Sequence, residues 1–215
     1  MIDHVIIPVL NRYDLLNRCL DSIPIGVRVL VIDNGDAYQA GEREGVRVLR
    51  LPANLGVPAS WNLGIKLLPF ASGWLLLNSD AWFEDGAWDD LSRDADPEGI
   101  TLAGSPPWCC AWISSPAAEQ VGLFCEAYYP AYMEDIDYEE RARRLGVRVS
   151  YSAARVGHDN SSTINSDTHL ARKNEWSHAR NIGIHNARYH GLAEHEVPLV
   201  SEWSVRNRKV NAWDA

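Results

Sequence analysis

The chain has 215 residues, of which 46% are hydrophobic, so it can build one domain with a substantial core, or one domain with an appendage. Its net charge of −9 argues against tight nonspecific binding to a polyanion. The sequence contains neither an apolar run near the ~20 residues of a membrane span nor the pattern of a signal peptide. The four cysteines form no CxxC pair, which favours reduced thiols, and we therefore expect a cytoplasmic protein.

The first eighty residues alternate strand-like and helix-like segments. Short apolar, β-branched runs predict strands, and apolar residues at helical spacing predict helices between them. The predicted strands span residues 2–10, 27–32, 46–51 and 74–77, and the predicted helices span 14–23 and 58–68. This alternation is typical of a doubly wound α/β domain with a mostly parallel central sheet, covered on both faces.

After residue 80 the alternation becomes less regular. Helices are predicted at 84–93, 116–121 and 136–145, and strands at 100–103, 110–113 and 147–151. From residue 159 onward the chain is polar and rich in His, Asn and Arg, with a helix predicted near 170–184. We therefore divide the chain into a domain over residues 1–158 and an appendage over 159–215. The appendage is expected to pack on the domain, where it closes over the site or mediates self-association into a homo-oligomer.

Polar residues follow three of the predicted parallel strands: Asn11, the run Asp33-Asn34-Gly35, and the run Asn78-Ser79-Asp80. Ligands of doubly wound sheets bind outside the carboxyl ends of the strands, so these residues predict a binding site. The alternatives stay open, because Asn-Gly also suits a simple turn and Asn, Ser and Asp also cap helices. The carboxylate of Asp80 would suit Mg²⁺ or Mn²⁺ that bridges a diphosphate.

A glycine-containing loop precedes the second predicted helix. Gly56 allows close backbone approach, and the free N–H groups at the start of the helix could bind an anion. Such loops are common, so the residues alone do not distinguish phosphate binding from an ordinary connection.

A carboxylate cluster stands at the start of a later helix, directly behind an aromatic loop at 128–132. Pairs of opposite charge four residues apart explain residues 139–144 as an ordinary exposed helix. They do not explain the crowding of Glu134, Asp135 and Asp137. Like charges this close raise one another's pKa, which suits a general base. His158 follows downstream, although a lone histidine is usually not a metal ligand.

These segments together resemble the GT-A fold, family 2 glycosyltransferases, in particular their rhamnosyltransferase-like branch. Residues 121–146 are similar to the family's VGxFDE…Y-x-EDxDy…R…G block, 29–36 to its VVDNGS stretch, and 54–64 to its N-x-G…N-x-G segment. Residues 75–80 are similar to its metal-binding DxD, with Asn78 in place of the first Asp, which removes one charge. The resemblance extends over residues 1–160.

The resemblance implies inverting transfer of a sugar from a nucleotide diphosphate sugar, such as a UDP- or dTDP-sugar, to a hydroxyl acceptor. It implies Asp135 as the general base, and Asp80 and His158 as ligands of Mn²⁺ or Mg²⁺. The acceptor is left open among a glycan, a lipid-linked intermediate, a protein and a modified nucleic-acid base. The residues expected to contact the donor are Pro8, Leu10, Asn11, Arg12, Asp33, Asn34, Asn54, Gly56, Asn62, Asn78, Ser79 and Asp80.

Two other classes of protein compete with this interpretation. A noncatalytic nucleotide-sugar-binding protein on a glycosyltransferase fold is favoured by Asn78 and opposed by Asp135 and His158. A sugar-phosphate nucleotidylyltransferase would use a similar sheet, but residues 9–13 lack the glycine- and arginine-rich loop, with its lysine, of that class.

Overall fold

A computed structural model describes residues 2–39, 41–159 and 168–189 of the chain. Much of the predicted appendage, residues 160–167 and 190–215, lies outside the described residues. The elements of the first half are β1 (His4–Val9), α1 (Tyr13–Asp21), β2 (Arg28–Asp33), β3 (Val46–Arg50), α2 (Val57–Leu67) and β4 (Gly73–Leu77). Those that follow are β5 (Ala81–Phe83), α3 (Ala87–Asp94), β6 (Ile100–Ala103), β7 (Cys110–Ser114), α4 (Ser115–Val121), α5 (Glu134–Arg144), β8 (Val149–Tyr151), β9 (Val156–His158) and α6 (Thr168–Tyr189).

The main sheet confirms the predicted α/β, GT-A-like architecture. In the described part of the chain it has seven strands in the order β3-β2-β1-β4-β7-β6-β8. Strands β3, β2, β1 and β4 pair in parallel. Strand β7 runs antiparallel to both β4 and β6, and β8 pairs in parallel with β6. Because β1, β2 and β4 share one direction, their carboxyl ends meet at one edge of the sheet.

The core lies on both faces of the sheet, as the continuous apolar strands predict. Successive residues of a strand point to opposite faces. Val5 and Ile7 accordingly pack with Leu16 of α1 on one face, whereas Ile6 packs with Trp61 and other residues of α2 on the other. The two helices therefore cover opposite sides and leave the strand ends between them.

Short elements and helix ends depart from the sequence-based expectations. Strands β5 and β9 form a separate two-stranded sheet, which three-residue segments are too short to reveal as a periodic pattern. Helix α5 begins at Glu134, two residues earlier than expected, and α6 extends beyond both predicted ends. Among the described residues, no helix combines the length and the apolar character that crossing a membrane requires.

All four cysteines are free thiols, and Cys19, Cys109 and Cys110 are buried. Burial, with a smaller contribution from the charge of Asp80, raises the pKa of Cys109 to about 12. The three buried thiols therefore remain protonated and act as small apolar side chains. The cytoplasmic location inferred from the cysteine pattern stays a prediction.

Candidate active site

The strand-end residues singled out in the sequence lie at one edge of the main sheet. Val9, the last residue of β1, is in register with Asp33, the last residue of β2. The backbone N–H of Asn34 donates to the carbonyl of Val9 (2.7 Å), which ties the two strand ends together. Strand β4 pairs with the other side of β1 and runs directly into Asn78. The structure therefore confirms that these three segments lie at the same edge of the sheet.

Asp80 and His158 form a close pair although they are far apart in the sequence. Oδ1 of Asp80 lies 3.0 Å from Nε2 of His158, and both side chains are nearly buried, at 11% and 5% exposure. The cause is the small sheet, in which Ala81 is in register with His158. A backbone hydrogen bond from Asp159 to the carbonyl of Asp80 (3.0 Å) extends that pairing by one residue.

The surroundings of this pair suit a cation shared with a substrate. Nδ2 of Asn78 lies 3.3 Å from Nε2 of His158, and Nδ1 of His158 is buried without a hydrogen-bond partner among the described residues. The pKa of Arg12 is raised, chiefly by its hydrogen bond to Asp14 and to a lesser degree by Asp159 and Asp80. The charge of Asp80 therefore acts on Arg12, and the guanidinium of Arg12 places positive charge beside the strand ends.

The residues present fit a divalent ion that a diphosphate would help to hold. Within residues 2–39, 41–159 and 168–189, no group of three or more His, Cys, Asp or Glu side chains is arranged to bind a metal. Mg²⁺ commonly uses one or two protein carboxylates together with substrate phosphates and water. Asp80 and a neutral His158 would supply two ligands, and the unsatisfied imidazole nitrogen shows that the ring is not fully engaged within the protein.

Asp33 serves the turn at the end of β2. Its side chain is fully buried. Oδ1 accepts hydrogen bonds from the hydroxyl of Tyr13 (3.0 Å) and the N–H of Gly35 (3.0 Å), and Oδ2 accepts one from the N–H of Tyr38 (2.8 Å). The sequence placed Asp33 in a strand-end binding site and left a simple turn open as the alternative; the structure shows that Asp33 supports the turn. Contact of Asp33 with a nucleotide stays a prediction.

The predicted donor-binding asparagines also hold loops together. Asn34 accepts a hydrogen bond from the N–H of Leu55 (2.9 Å) and donates one to the hydroxyl of Ser60 (3.0 Å). Asn62 donates to the carbonyl of Phe124 (2.9 Å) and accepts from the N–H of the same residue (2.8 Å). Asn54 accepts from the N–H of Gly56 (2.8 Å). These contacts hold the first half of α2 and the loop before it, and a donor-binding role for the three amides stays a prediction.

Gly56 lies against the backbone of Pro130, in the loop where anion binding and an ordinary connection were both left open. Its φ is +81°, and a Cβ atom there would lie 2.6 Å from the carbonyl oxygen of Pro130. That carbonyl accepts a hydrogen bond from the N–H of Val57, the first residue of α2 (2.7 Å). One of the N–H groups expected to bind an anion is therefore used to dock the aromatic loop that precedes α5.

The three clustered carboxylates have different environments. Glu134 is buried, and this burial, followed by the charge of Asp135, holds its pKa well above the usual range. Asp135 is half-buried, and burial is also the main cause of its raised pKa. Asp137 is fully buried, and its carboxylate accepts hydrogen bonds from Arg141 (2.9 Å) and Arg188 (2.6 Å). The carboxylates of Glu134 and Asp135 are thus close enough for the charge of Asp135 to raise the pKa of Glu134. Asp137 instead forms ion pairs with Arg141 and Arg188.

Asp135 lies one helical turn before a residue that contacts the strand-end edge. Nε1 of Trp108 donates to Oε2 of Glu139 (2.8 Å), and Trp108 belongs to a short 3-10 helix, Pro107–Cys109, that leads into β7. The carbonyl of Cys109 accepts a hydrogen bond from the N–H of Asn78 (2.9 Å). The first turns of α5 are therefore connected to the segment that carries Asp80.

Sequence reasoning missed the part that α6 plays at this cluster. Arg188 and Tyr189 reach Asp137 from 51 and 52 residues away, and Asn181 contacts the loop before α5. The polar tail offered no periodic signal for such contacts. The sequence predicted a helix there and an appendage that packs on the domain, but not which residues it contacts.

Comparison with known proteins identifies the class. Residues 4–103 match the family model described as glycosyl transferase family 2. This span is just under half of the chain and is similar to that family, and the fold is GT-A. The span includes Asp33 and Asp80, but Asp135 and His158 lie beyond it. The rhamnosyltransferase-like branch is not specified by this match, and no curated protein matches the chain.

Solved glycosyltransferase structures share the fold at low sequence identity. GalNAc-T7 with UDP, GalNAc and Mn²⁺ is 11% identical, with a TM-score of 0.58 over 72% of this chain and 43% of its own. S. aureus TarS is 16% identical, with a TM-score of 0.55 over 74% of this chain and 36% of its own. The catalytic domain of Drosophila beta1,4galactosyltransferase 7, in complex with xylobiose, is 13% identical, with a TM-score of 0.55 over 77% and 74%. The chain thus spans less than half of these TarS and GalNAc-T7 chains.

Proposed function

We propose that this protein transfers a sugar, with inversion, from a nucleotide diphosphate sugar to a hydroxyl acceptor. The observation that carries the proposal is the Asp80–His158 pair, 3.0 Å apart, at the carboxyl edge of a family 2 sheet. Further support comes from the neighbours, since GalNAc-T7 was solved with UDP and Mn²⁺.

The donor would lie across the ends of β1, β2 and β4. Asn11 and Arg12 are half-buried there, and the Arg12 guanidinium would attract a diphosphate. Because Asp33 is fully buried and hydrogen-bonded to Tyr13, its contact with a base or ribose requires Tyr13 to move away or to mediate the contact. A UDP- or dTDP-sugar is the expected donor.

Asp80 and His158 would hold Mn²⁺ or Mg²⁺ together with the diphosphate oxygens. The ion would supply charge neutralisation to the departing nucleoside diphosphate. Asn78 contributes no charge to this site, which favours weaker metal binding than a pair of aspartates would give. Arg12 can offset part of the same negative charge from the β1 side.

Asp135 would act as the general base. As the acceptor oxygen attacks the anomeric carbon from the side opposite the diphosphate, its proton passes to the Asp135 carboxylate. The bond between the anomeric carbon and the phosphate oxygen breaks, and its electron pair leaves with the diphosphate, so the configuration inverts. Burial raises the pKa of Asp135 and makes it a better proton acceptor than an exposed aspartate.

A noncatalytic nucleotide-sugar-binding protein is the second candidate. The observation in its favour is Asn78, whose amide lies next to His158 at the position where the family's DxD motif has its first aspartate. The two candidates agree on donor binding and differ on turnover.

Thermal unfolding with a panel of UDP-, dTDP- and GDP-sugars, with and without Mn²⁺, tests both. A ligand at a hundred times its Kd should stabilise the protein by about 2.7 kcal/mol. Asp80→Asn should remove the Mn²⁺-dependent part, whereas Asp89→Asn, at an exposed position on α3, should not. The absence of stabilisation by every nucleotide would refute both candidates. Stabilisation without release of free nucleotide, in the presence of a range of acceptors, would favour the binding protein.

A further inference from the structure

Helix α6 holds the backbone immediately before Asp135. The side chain of Asn181 is fully buried, and its Nδ2 donates to the carbonyls of Ala131 (2.9 Å) and Tyr132 (3.1 Å). Tyr132 and Met133 have φ values of +73° and +74°, in the left-handed region that residues with a Cβ atom disfavour. Such a conformation persists only when surrounding contacts impose it, and Asn181 supplies two of them.

The same helix also holds the backbone immediately after Asp135. Nη1 of Arg188 and the hydroxyl of Tyr189 both donate to Oδ1 of Asp137, at 2.6 and 2.8 Å. Oδ2 of Asp137 accepts from Arg141, so the buried carboxylate joins α5 and α6. A buried charge-assisted network of this kind is rigid, because loosening any member leaves a buried charge unpaired.

Other contacts of α6 fall on the same stretch of chain. Nη1 of Arg180 donates to the carbonyl of Ala127 (3.2 Å), and the ring of His178 packs on that of Tyr132, with centroids 4.9 Å apart. The contacts thus run along residues 127–137, on both sides of Asp135. They lie beyond the span 4–103 that matches the family.

We propose that α6 is a positioning element for the sugar transfer, in which Asn181, Arg188 and Tyr189 fix the strained loop and the first turn of α5 so that Asp135 meets the acceptor hydroxyl. The inference rests on the proposed function, since it takes Asp135 as the base. Asn181, Arg188 and Tyr189 are positioning residues and act through the backbone around Asp135. The contacts of α6 described above involve none of the predicted donor residues at the strand ends, although Pro130, within residues 127–137, docks on Gly56 and Val57. Donor binding should therefore depend on α6 less than turnover does.

The test compares Asn181→Leu with Asn186→Leu. Leucine is close in size to asparagine and removes both donated hydrogen bonds, and Asn186 is an exposed residue of the same helix. In the Asn181→Leu variant, the backbone amides of residues 127–137 should exchange hydrogen faster than in the wild type. The other amides should exchange at the wild-type rate. UDP affinity with Mn²⁺, measured by calorimetry, should change much less than kcat. With the UDP- or dTDP-sugar that best stabilises the wild type, kcat for release of free nucleotide should fall about 10- to 100-fold with little change in the donor KM. Asn186→Leu should match the wild type throughout.

If Asn181→Leu does not fold, Tyr189→Phe replaces it, since that change removes one donated bond and leaves Arg188 in place. The same pattern is then expected with smaller changes. Unchanged exchange in residues 127–137, or raised exchange there with wild-type kcat, would overturn the inference. Exchange that rises across the whole domain together with lost UDP binding would also overturn it, because α6 would then serve general stability. A wild-type protein that binds no nucleotide overturns the proposed function, and the catalytic part of the inference with it.

Discussion

Asp137 is expected to be a structural residue, and its replacement by asparagine should destabilise the protein strongly. Asp137 has no exposed surface, and Arg141 and Arg188 are 2% and 7% exposed. Asparagine would leave both guanidiniums without their counter-charge and would turn an N–H donor toward Nε of Arg141 or Nη1 of Arg188. Removing one partner of a buried ion pair typically costs about 3–5 kcal/mol. The hydroxyls of Tyr128 and Tyr189 would also lose a charged acceptor.

Urea denaturation of Asp137→Asn at neutral pH, followed by circular dichroism, measures this loss of unfolding free energy. Glu140→Gln is the matched control on the same helix, because Glu140 pairs with Arg144 at the surface. Exposed pairs contribute up to about 1 kcal/mol, and often less. A cost below about 1 kcal/mol for Asp137→Asn would refute the view that its ion pairs are buried and unscreened. It would also return Asp137 to the set of candidate bases.

Three further predictions concern the chemistry. Asp135→Asn should keep donor affinity by calorimetry and lose about 10²–10⁴-fold in transfer rate, because it keeps the size of the side chain and removes its basicity. Since burial raises the pKa of Asp135, activity should fall on acidification at a pH above the ordinary aspartate pKa of about 3.9, as the pH–rate profile will show. Glu134→Gln should be increasingly more stable than the wild type as pH rises. As pH rises, Glu134 ionises in the unfolded state before it ionises in the folded state, because burial raises its pKa in the folded protein. The wild type therefore loses unfolding free energy with increasing pH, whereas the glutamine variant has no such loss. Urea denaturation at pH 5 and pH 8 measures the difference.

Each of these three predictions has a result that would contradict it. If Asp135→Asn transfers sugar at the wild-type rate and Glu139→Gln does not, the base is misassigned although the fold stands. An acidic limb at or below the ordinary aspartate pKa would mean that Asp135 is solvated in the working enzyme. A constant stability difference between Glu134→Gln and the wild type across the pH range would mean that Glu134 is not buried as a neutral acid.

The sequence determined the architecture and the strand-end edge. Continuous apolar runs of four to six residues, separated by helical periodicity, identify parallel strands from local information, because burial on both faces leaves no polar alternation. Polar residues directly after three such runs, at Asn11, Asp33 and Asn78, then had to meet at one edge once the strands were parallel. Asp80 comes from the same strand-end pattern, and motif resemblance singled out Asp135 and His158. The structure places Asp80 and His158 3.0 Å apart.

Only the tertiary structure decided what the individual polar side chains contact. Asp33, Asn62 and Asp137 are buried and hydrogen-bonded within the protein, and Gly56 is required by the approach of Pro130. Their partners are distant in sequence; Asn62 bonds Phe124 from 62 residues away, and Arg188 bonds Asp137 from 51. A local pattern reports which face of an element is buried, but not which distant donor will meet a given acceptor. Donors and acceptors meet when α2, α5 and α6 pack together. This packing distinguishes Asp137, which stabilises the fold, from the neighbouring Asp135, which is proposed to act on the acceptor.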